Sequence, residues 1–275
     1  MELTPTLKSL LTTQKLYAPT TESDHLQTDL NSICDWAEKW ELTFNVNKCK
    51  VIHYGYGNPE KEFFMNTNKL KSDIEETDLG VLFERDLKFS KHISAKINKA
   101  NSILALKSKS FEYLDKYAFL KLYRALVRPH VEFANIVWYP YLRKDIDSLE
   151  RLQTRAIKLV PSVTNLTYEE RLRELNLPTL AHRRIRGDAI QTFKIVKGID
   201  DCSFENFFCY SSSTRGHNLK LEKPRCRTTF CQNQFSRRVI DMWNRLPQEV
   251  VDAKDVHSFK IRLDHHWQGD MLYQF

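Results

Sequence analysis

The hydrophobic period changes near Ser90, and that change constrains this chain more than any other feature. Before it lie one amphipathic stretch and several short β-rich runs; after it, apolar residues recur every three or four positions through about residue 200. Ser90 can cap a helix whose stripe is Ile93, Ile97, Ala100 and Leu104. The pattern predicts an α+β chain that is mostly helical.

In the first part, Thr21-Glu22-Ser23-Asp24 reads as a capping box, followed by Leu26, Leu30, Ile33, Ala37 and Trp40 on one helix face. Cys49 to Tyr56 (CKVIHYGY) predicts a strand. Phe63-Phe64-Met65 and Lys69-Leu70-Lys71 predict a hairpin about Asn66-Thr67-Asn68, and Asp78 to Phe83 predicts another short strand. Asp73, Glu75 and Glu76 read as an acidic turn. These strands are too few to close a sheet.

In the second part, helices are expected over Leu114 to Val127 and Val131 to Val137, with Pro129 ending the first at or before Arg128. Arg128 and Glu132 are placed to lock that corner. The amphipathic pattern is clearest from about Asp147 to Val160. Leu149, Leu152, Gln153, Ala156 and Val160 share one face, and Arg151, Arg155 and Lys158 lie on the opposite face. A short helix begins at Tyr168, and Leu177 to Leu180 turns into a longer one with Ile185, Ala189, Phe193 and Val196 inward, stopped by Gly198. Residues 201 to 235 show no convincing period and are expected to be partly mobile. Apolar positions from Val239 to Leu246, and Val256, Phe259, Leu263 and Trp267, predict two terminal helices.

The formal net charge of +7 over 275 residues permits an anionic partner without establishing one. The charge is uneven. From Lys88 to Lys109 there are six lysines and no acid, and from Arg215 to Arg238 seven bases and only Glu222 as an acid. Such stretches suit contacts to a phosphate backbone, and equally suit solvated helix faces. No stretch approaches a leader peptide or a membrane span, so the expectation is an intracellular protein, nucleus or cytoplasm unresolved, with no membrane partner and with reduced thiols. Cys202, Cys209, Cys226 and Cys231 lack the tight paired spacing of a structural zinc site and read as solitary thiols.

Several signatures then occur in one order: LQTDLNSICDWAEKWELTFNVNKCKV (Leu26 to Val51), DLGVLFERDLKFSKHI (Asp78 to Ile93), LYRALVRPHVEFANIVWYP (Leu122 to Pro140), LERLQTRAIKLV (Leu149 to Val160) and YEERLRELNLPTLAHRRIRGD (Tyr168 to Asp188). TRGHNLKL (Thr214 to Leu221) and FSRRVIDMWNRLPQEVVDAKDVHSFK (Phe235 to Lys260) follow. Over roughly residues 10 to 267 this order resembles the distal half of the reverse transcriptase of jockey-like non-long-terminal-repeat retrotransposons. The resemblance implies an incomplete right-hand polymerase palm (residues 1–87, with Asp78 to Phe83 like the strand that grips the primer end), a helical thumb (88–200) and a basic, helical C-terminal region (201–275). In that family a Phe-Ala-Asp-Asp turn precedes the residues matching Lys15-Leu16-Tyr17 and binds Mg2+. Here Leu10, Leu11, Thr12, Thr13 and Gln14 take those places. Hydroxyls are poor Mg2+ ligands, and a two-metal centre needs carboxylates.

The resemblance therefore implies Mg2+ for the intact family enzyme and no cofactor, catalytic residue or metal ligand in this chain. The expected function is nucleic-acid binding without polymerisation by the chain alone. The alternatives are a degraded element fragment with no activity, and a fragment that docks onto a separate polymerase portion. RNA or DNA is the expected partner, through Lys96, Lys99, Arg151, Arg155, Lys158, Arg183, Arg184, Arg186 and Arg215. Trp138 and Trp243 are expected to anchor the core rather than stack on bases.

Overall fold

A computed structural model describes residues 15–110, 114–212 and 216–267. The turn carrying Thr12 and Thr13 lies outside them. Contacts divide the chain into Met1–Lys88 and Phe89–Phe275.

In the first unit, helix α1 (Ser23–Lys39) follows a single 3-10 turn, Thr20–Glu22. The expected capping box does not form: Glu22 takes the N-cap position and no side chain caps the helix. The preceding 3-10 turn runs directly into the helix, and the cap position falls one residue after Thr21. Leu26, Leu30 and Cys34 pack on Phe63, Met65 and Leu70. The strands are β1 (Lys50–Ile52), β2 (Phe64–Met65), β3 (Asn68–Lys69), β4 (Lys71–Asp73), β5 (Glu75–Asp78) and β6 (Val81–Glu84). They form three separate two-stranded sheets, with β1 and β4 parallel and β2·β3 and β5·β6 antiparallel. The hairpin expected about Asn66 is present, Asn66 taking φ 53° in its turn. Leu79 and Gly80, at φ 45° and 81°, make the tight turn between β5 and β6. The acidic run is thus not a turn: Glu75 and Glu76 lie in β5 opposite Glu84 and Phe83, and Lys50 Nζ sits 3.1 Å from both Asp73 and Glu76.

The second unit is helical: α2 (Ser90–Ser110), α3 (Lys116–Leu122), α4 (Arg128–Glu132), α5 (Arg143–Ile157), α6 (Tyr168–Leu175), α7 (Leu180–Val196), α8 (Thr229–Asn233), α9 (Phe235–Asn244), α10 (Gln248–Val251) and α11 (Val256–His266). The stripe Ile93, Ile97, Ala100 and Leu104 is buried, and α2 packs on α4 and α5. The expected break at Pro129 is absent. Between α3 and α4 the residues Tyr123–Val127 form a π-helical turn, and the Arg128 N–H reaches the Tyr123 carbonyl five residues back. The widened turn accommodates a proline that would collide with a carbonyl in a regular helix. The helix ends instead at Glu132, and Ala134 at φ 53° turns the chain, so Val131 to Val137 is not a continuous helix.

Trp138 is fully buried and donates from Nε1 to the Phe133 carbonyl at 2.7 Å. His92 lies beside it with ring centroids 5.3 Å apart, and burial, with Lys96 adding, lowers its pKa to about 4. Thr167 and Glu170 form a capping box on α6, and Gly198 at φ 63° follows α7. The segment after residue 200 carries packing despite its lack of period. Phe204, Phe207, Phe208, Leu219 and Leu221 join Ala189 and Phe193 of α7, Val239, Ile240 and Trp243 of α9, and Phe259 and Leu263 of α11 in one core.

Two-stranded sheets are marginal alone, whereas the helices of the second unit bury continuous faces. Hydrogen exchange should therefore leave the amides of α5, α7 and α9 protected far longer than those of β1 to β6. Equal or greater protection across the strands would contradict this division of stability.

Candidate nucleic-acid interface

The best-defined basic face is that of α5. Leu149, Leu152, Gln153 and Ala156 are buried, as is Val160 beyond the helix end, so Arg151, Arg155 and Lys158 are left exposed. None of the three makes an ion pair among the described residues; Arg151 donates to the Ser148 hydroxyl at 2.9 Å. The acids of the same helix are all engaged. Asp145 accepts from the Ser90 hydroxyl at 2.7 Å, and Asp147 pairs with Arg143 at 2.9 Å. Glu150 is buried and accepts from the Tyr168 hydroxyl and the Ala181 N–H, both at 2.8 Å. Burial raises the Glu150 pKa, against the lowering effect of those hydrogen bonds.

Lys96 is half-buried and Lys99 exposed on α2. Both act on His130 of the neighbouring α4, whose pKa is lowered first by burial and then by these two ammonium groups. The α5 bases and the Lys96–Lys99 pair thus sit on directly packed helices.

The three arginines of α7 have different fates. Arg183 grips Glu132 through two hydrogen bonds, and Arg128 holds the same carboxylate at 2.9 and 3.2 Å. Arg186 forms a bidentate pair with Asp264 at 2.6 and 2.8 Å. Arg184 is 3% exposed, with Nε and one terminal nitrogen lacking hydrogen-bond partners. Burial lowers its pKa, while Glu150, Tyr139, Asp188 and Glu132 act in the opposite sense. A guanidinium so withdrawn does not present to a phosphate backbone, so Arg184 is left out of the exposed face. Arg215 lies outside the described residues.

The sequence sets Arg238 in a basic stretch suited to a phosphate backbone, and the structure gives it another role. It binds Asp188 through two hydrogen bonds of 2.8 and 2.9 Å, donates to the Asn233 and Ile136 carbonyls at 3.0 Å, and stacks on Tyr139 with its guanidinium 4.1 Å from the ring centroid. His217 is likewise a core residue, not part of a basic arm, its Nε2 3.0 Å from the Trp243 carbonyl. Lys223 pairs with Asp241, leaving Arg225 and Arg227 exposed in that region.

Among the described residues no group of three or more His, Cys, Asp or Glu side chains is arranged to hold a metal. Leu10 to Gln14, which the resemblance sets at the place of a metal-binding turn, lie outside the described residues.

Comparison with known proteins gives a distant, partial similarity. Over 146 residues, half of this chain, 27% of positions are identical to the RNA-directed DNA polymerase from mobile element jockey of Drosophila funebris. The matched part is 16% of that polymerase's length. An uncharacterized protein of Caenorhabditis elegans is 27% identical over 111 residues, covering 39% of this chain and 56% of its own length. No protein-family profile and no solved structure matches. No helix among the described residues is long and apolar enough to cross a membrane.

The two kinds of ion pair separate in their energetics. Replacing Arg238 by Met leaves Asp188 buried without its partner and should cost roughly 3–5 kcal/mol. Replacing Arg186 by Met removes a more exposed pair and should cost about 0–1 kcal/mol. Urea melts of the two variants test the difference, and equal losses would remove Arg238 from its place in the core.

Proposed function

We propose that this chain is a nucleic-acid-binding segment of a jockey-type RNA-directed DNA polymerase that does not polymerise by itself. The observation that carries the reading is the exposed Arg151, Arg155 and Lys158 face, uncompensated because Asp145, Asp147 and Glu150 of α5 are all engaged elsewhere. Its similarity to the jockey polymerase supports the choice of partner. In this reading residues 88–200 are thumb-like, and Lys96 and Lys99 extend the phosphate-contacting surface. Arg183 and Arg186 are bound to carboxylates and serve the fold first.

Two-stranded sheets that are marginal alone, as those of the described residues of the first unit are, favour a second reading, in which this unit docks onto a separate polymerase portion. Co-purification with an upstream palm segment would favour that reading.

Phosphate binding by the α5 face has a salt signature. Replacing Arg151, Arg155 and Lys158 by Gln should lower the slope of log affinity against log salt by roughly two to three units. The loss should be similar for unrelated RNA or DNA sequences. Fluorescence anisotropy at several salt concentrations reads the slope, and a circular-dichroism melt checks the fold. An unchanged slope in a folded variant would return these residues to ordinary surface.

Polymerisation is tested separately. Primer extension on an RNA template with Mg2+ or Mn2+ should give no product above a denatured control. Extension abolished by a substitution within this chain would refute the inactive reading.

A further inference from the structure

Spacing in the sequence reads Cys226 and Cys231 as solitary thiols, and the structure brings them together. Cys226 lies in the irregular segment that follows Leu221, and Cys231 in the first turn of α8. Between them Thr228 caps that helix, its hydroxyl accepting from the Cys231 N–H at 3.2 Å. The chain turns back at this cap, and the Cys231 thiol donates to the Cys226 sulfur at 2.9 Å. Both cysteines are half-buried and free, and residues 227 to 230 between them are exposed. Neither belongs to the core that Phe208, Leu221 and Trp243 share, so the pair is a surface feature.

Sulfurs in direct contact already stand near the separation a covalent bond requires. The Cys226 thiol is held above its ordinary pKa, first by the hydrogen bond with Cys231 and then by burial, with Arg237 and Lys223 acting in the opposite sense. Such a thiol is not built as a lone, low-pKa nucleophile. Its reactivity lies in the proximity of a second sulfur. Among the described residues no group of three His, Cys, Asp or Glu side chains could enclose a metal here, so the chemistry that two thiols alone support is disulfide exchange.

We propose that Cys226 and Cys231 form a reversible disulfide by exchange with a low-molecular-weight disulfide such as glutathione disulfide, closing the backbone that carries Arg227 into a constrained ring. One cysteine thiolate attacks a sulfur of glutathione disulfide, breaks its S–S bond and releases one glutathione thiolate. The other cysteine thiolate attacks the bonded cysteine sulfur and displaces the second. The two cysteines lose two electrons, glutathione disulfide gains them, and the two cysteine protons end on the two glutathione thiols. Excess glutathione reverses both steps and restores the dithiol. The site goes beyond the nucleic-acid reading, because it uses none of the α5 bases and needs no bound polymer.

The full chain is equilibrated in glutathione buffers of graded oxidation, its thiols are blocked with an alkylating reagent, and tryptic peptides of the denatured protein are read by mass spectrometry. The bridge should appear as the Cys226–Arg227 peptide joined to the Thr228–Arg237 peptide, with neither cysteine alkylated. It should form at a glutathione disulfide concentration roughly tenfold below that which caps the exposed Cys209, because its second step is intramolecular. Cys226→Ser should abolish the bridge, leave one glutathione on Cys231 and keep the parental melting temperature. Cys231→Ser gives the converse adduct on Cys226 and keeps the test open if the first variant fails to fold. Native trypsin should cleave after Arg227 several-fold more slowly in the bridged form, since that bond lies inside the ring, and at the original rate once glutathione has reopened it. A bridge still absent when Cys209 is fully capped, preferential bridging to any other cysteine, or equal cleavage after Arg227 in both states would overturn the proposal.

Discussion

One guanidinium organises the second unit. Arg238 of α9 binds both oxygens of Asp188 on α7 and also donates to the Ile136 carbonyl, 102 positions earlier in the chain. Helix α9, helix α7 and the turn after α4 are therefore fixed by a single planar group, whose fork geometry suits a bidentate carboxylate. Burial raises the Asp188 pKa, and Arg238 and Arg184 oppose that rise. A buried carboxylate held this way is costly to expose or to leave unpaired. The segment after residue 200 is consequently tied to the bundle by polar geometry as well as by Phe208, Leu221 and Trp243 in the shared core.

A second carboxylate, on α4 itself, works in a related manner. Glu132 is shared by Arg128 of the same helix and Arg183 of α7. That clamp sits directly after the π-helical turn, and one shifts the register on which the other depends. In a regular α-helix from Lys116 onward, side chains past Val127 would be rotated by roughly one residue, about 100°. The extra residue in the turn instead sets Val127 and Val131 inward, both essentially fully buried, while Arg128 and Glu132 face α7. Pro129 is thus part of a register device and not a helix terminator.

Much of this arrangement is legible in the sequence where periodicity governs it. Ile93, Ile97, Ala100 and Leu104, and Leu149, Leu152, Ala156 and Val160, are inward because a three-to-four spacing leaves a helix no other way to bury them. The hairpin about Asn66 and the stop at Gly198 follow from turn chemistry that is equally local. What is not legible depends on partners distant in sequence. Nothing near Glu150 announces that Tyr168 and Ala181 will satisfy it, and nothing near Arg238 announces Asp188. Residues 201–235 conceal their packing because Phe204, Phe208 and Leu221 anchor irregular backbone with no period to detect. The capping box read at Thr21 to Asp24 fails for a related reason, since a preceding 3-10 turn already supplies the helical start.

The candidate basic surface shows why a charge count along the chain is a weak guide to where an anion binds. At physiological salt, exposed charges act together only within about 8 Å, and seven residues of helix rise about 10 Å. Along one face the rise from Arg151 to Arg155 is about 6 Å and from Arg155 to Lys158 about 4.5 Å, so each reinforces its neighbour. Several other cations of the second unit are already neutralised. Arg128 and Arg183 share Glu132, Arg186 holds Asp264, Arg238 holds Asp188, and Lys223 holds Asp241. The decisive step is the inward turn of Glu150. Had it faced solvent beside Arg151, it would have offset one of the three positive charges within the screening distance. By spending its charge on Tyr168 and the start of α7, the fold converts a nearly balanced helix into a one-signed face.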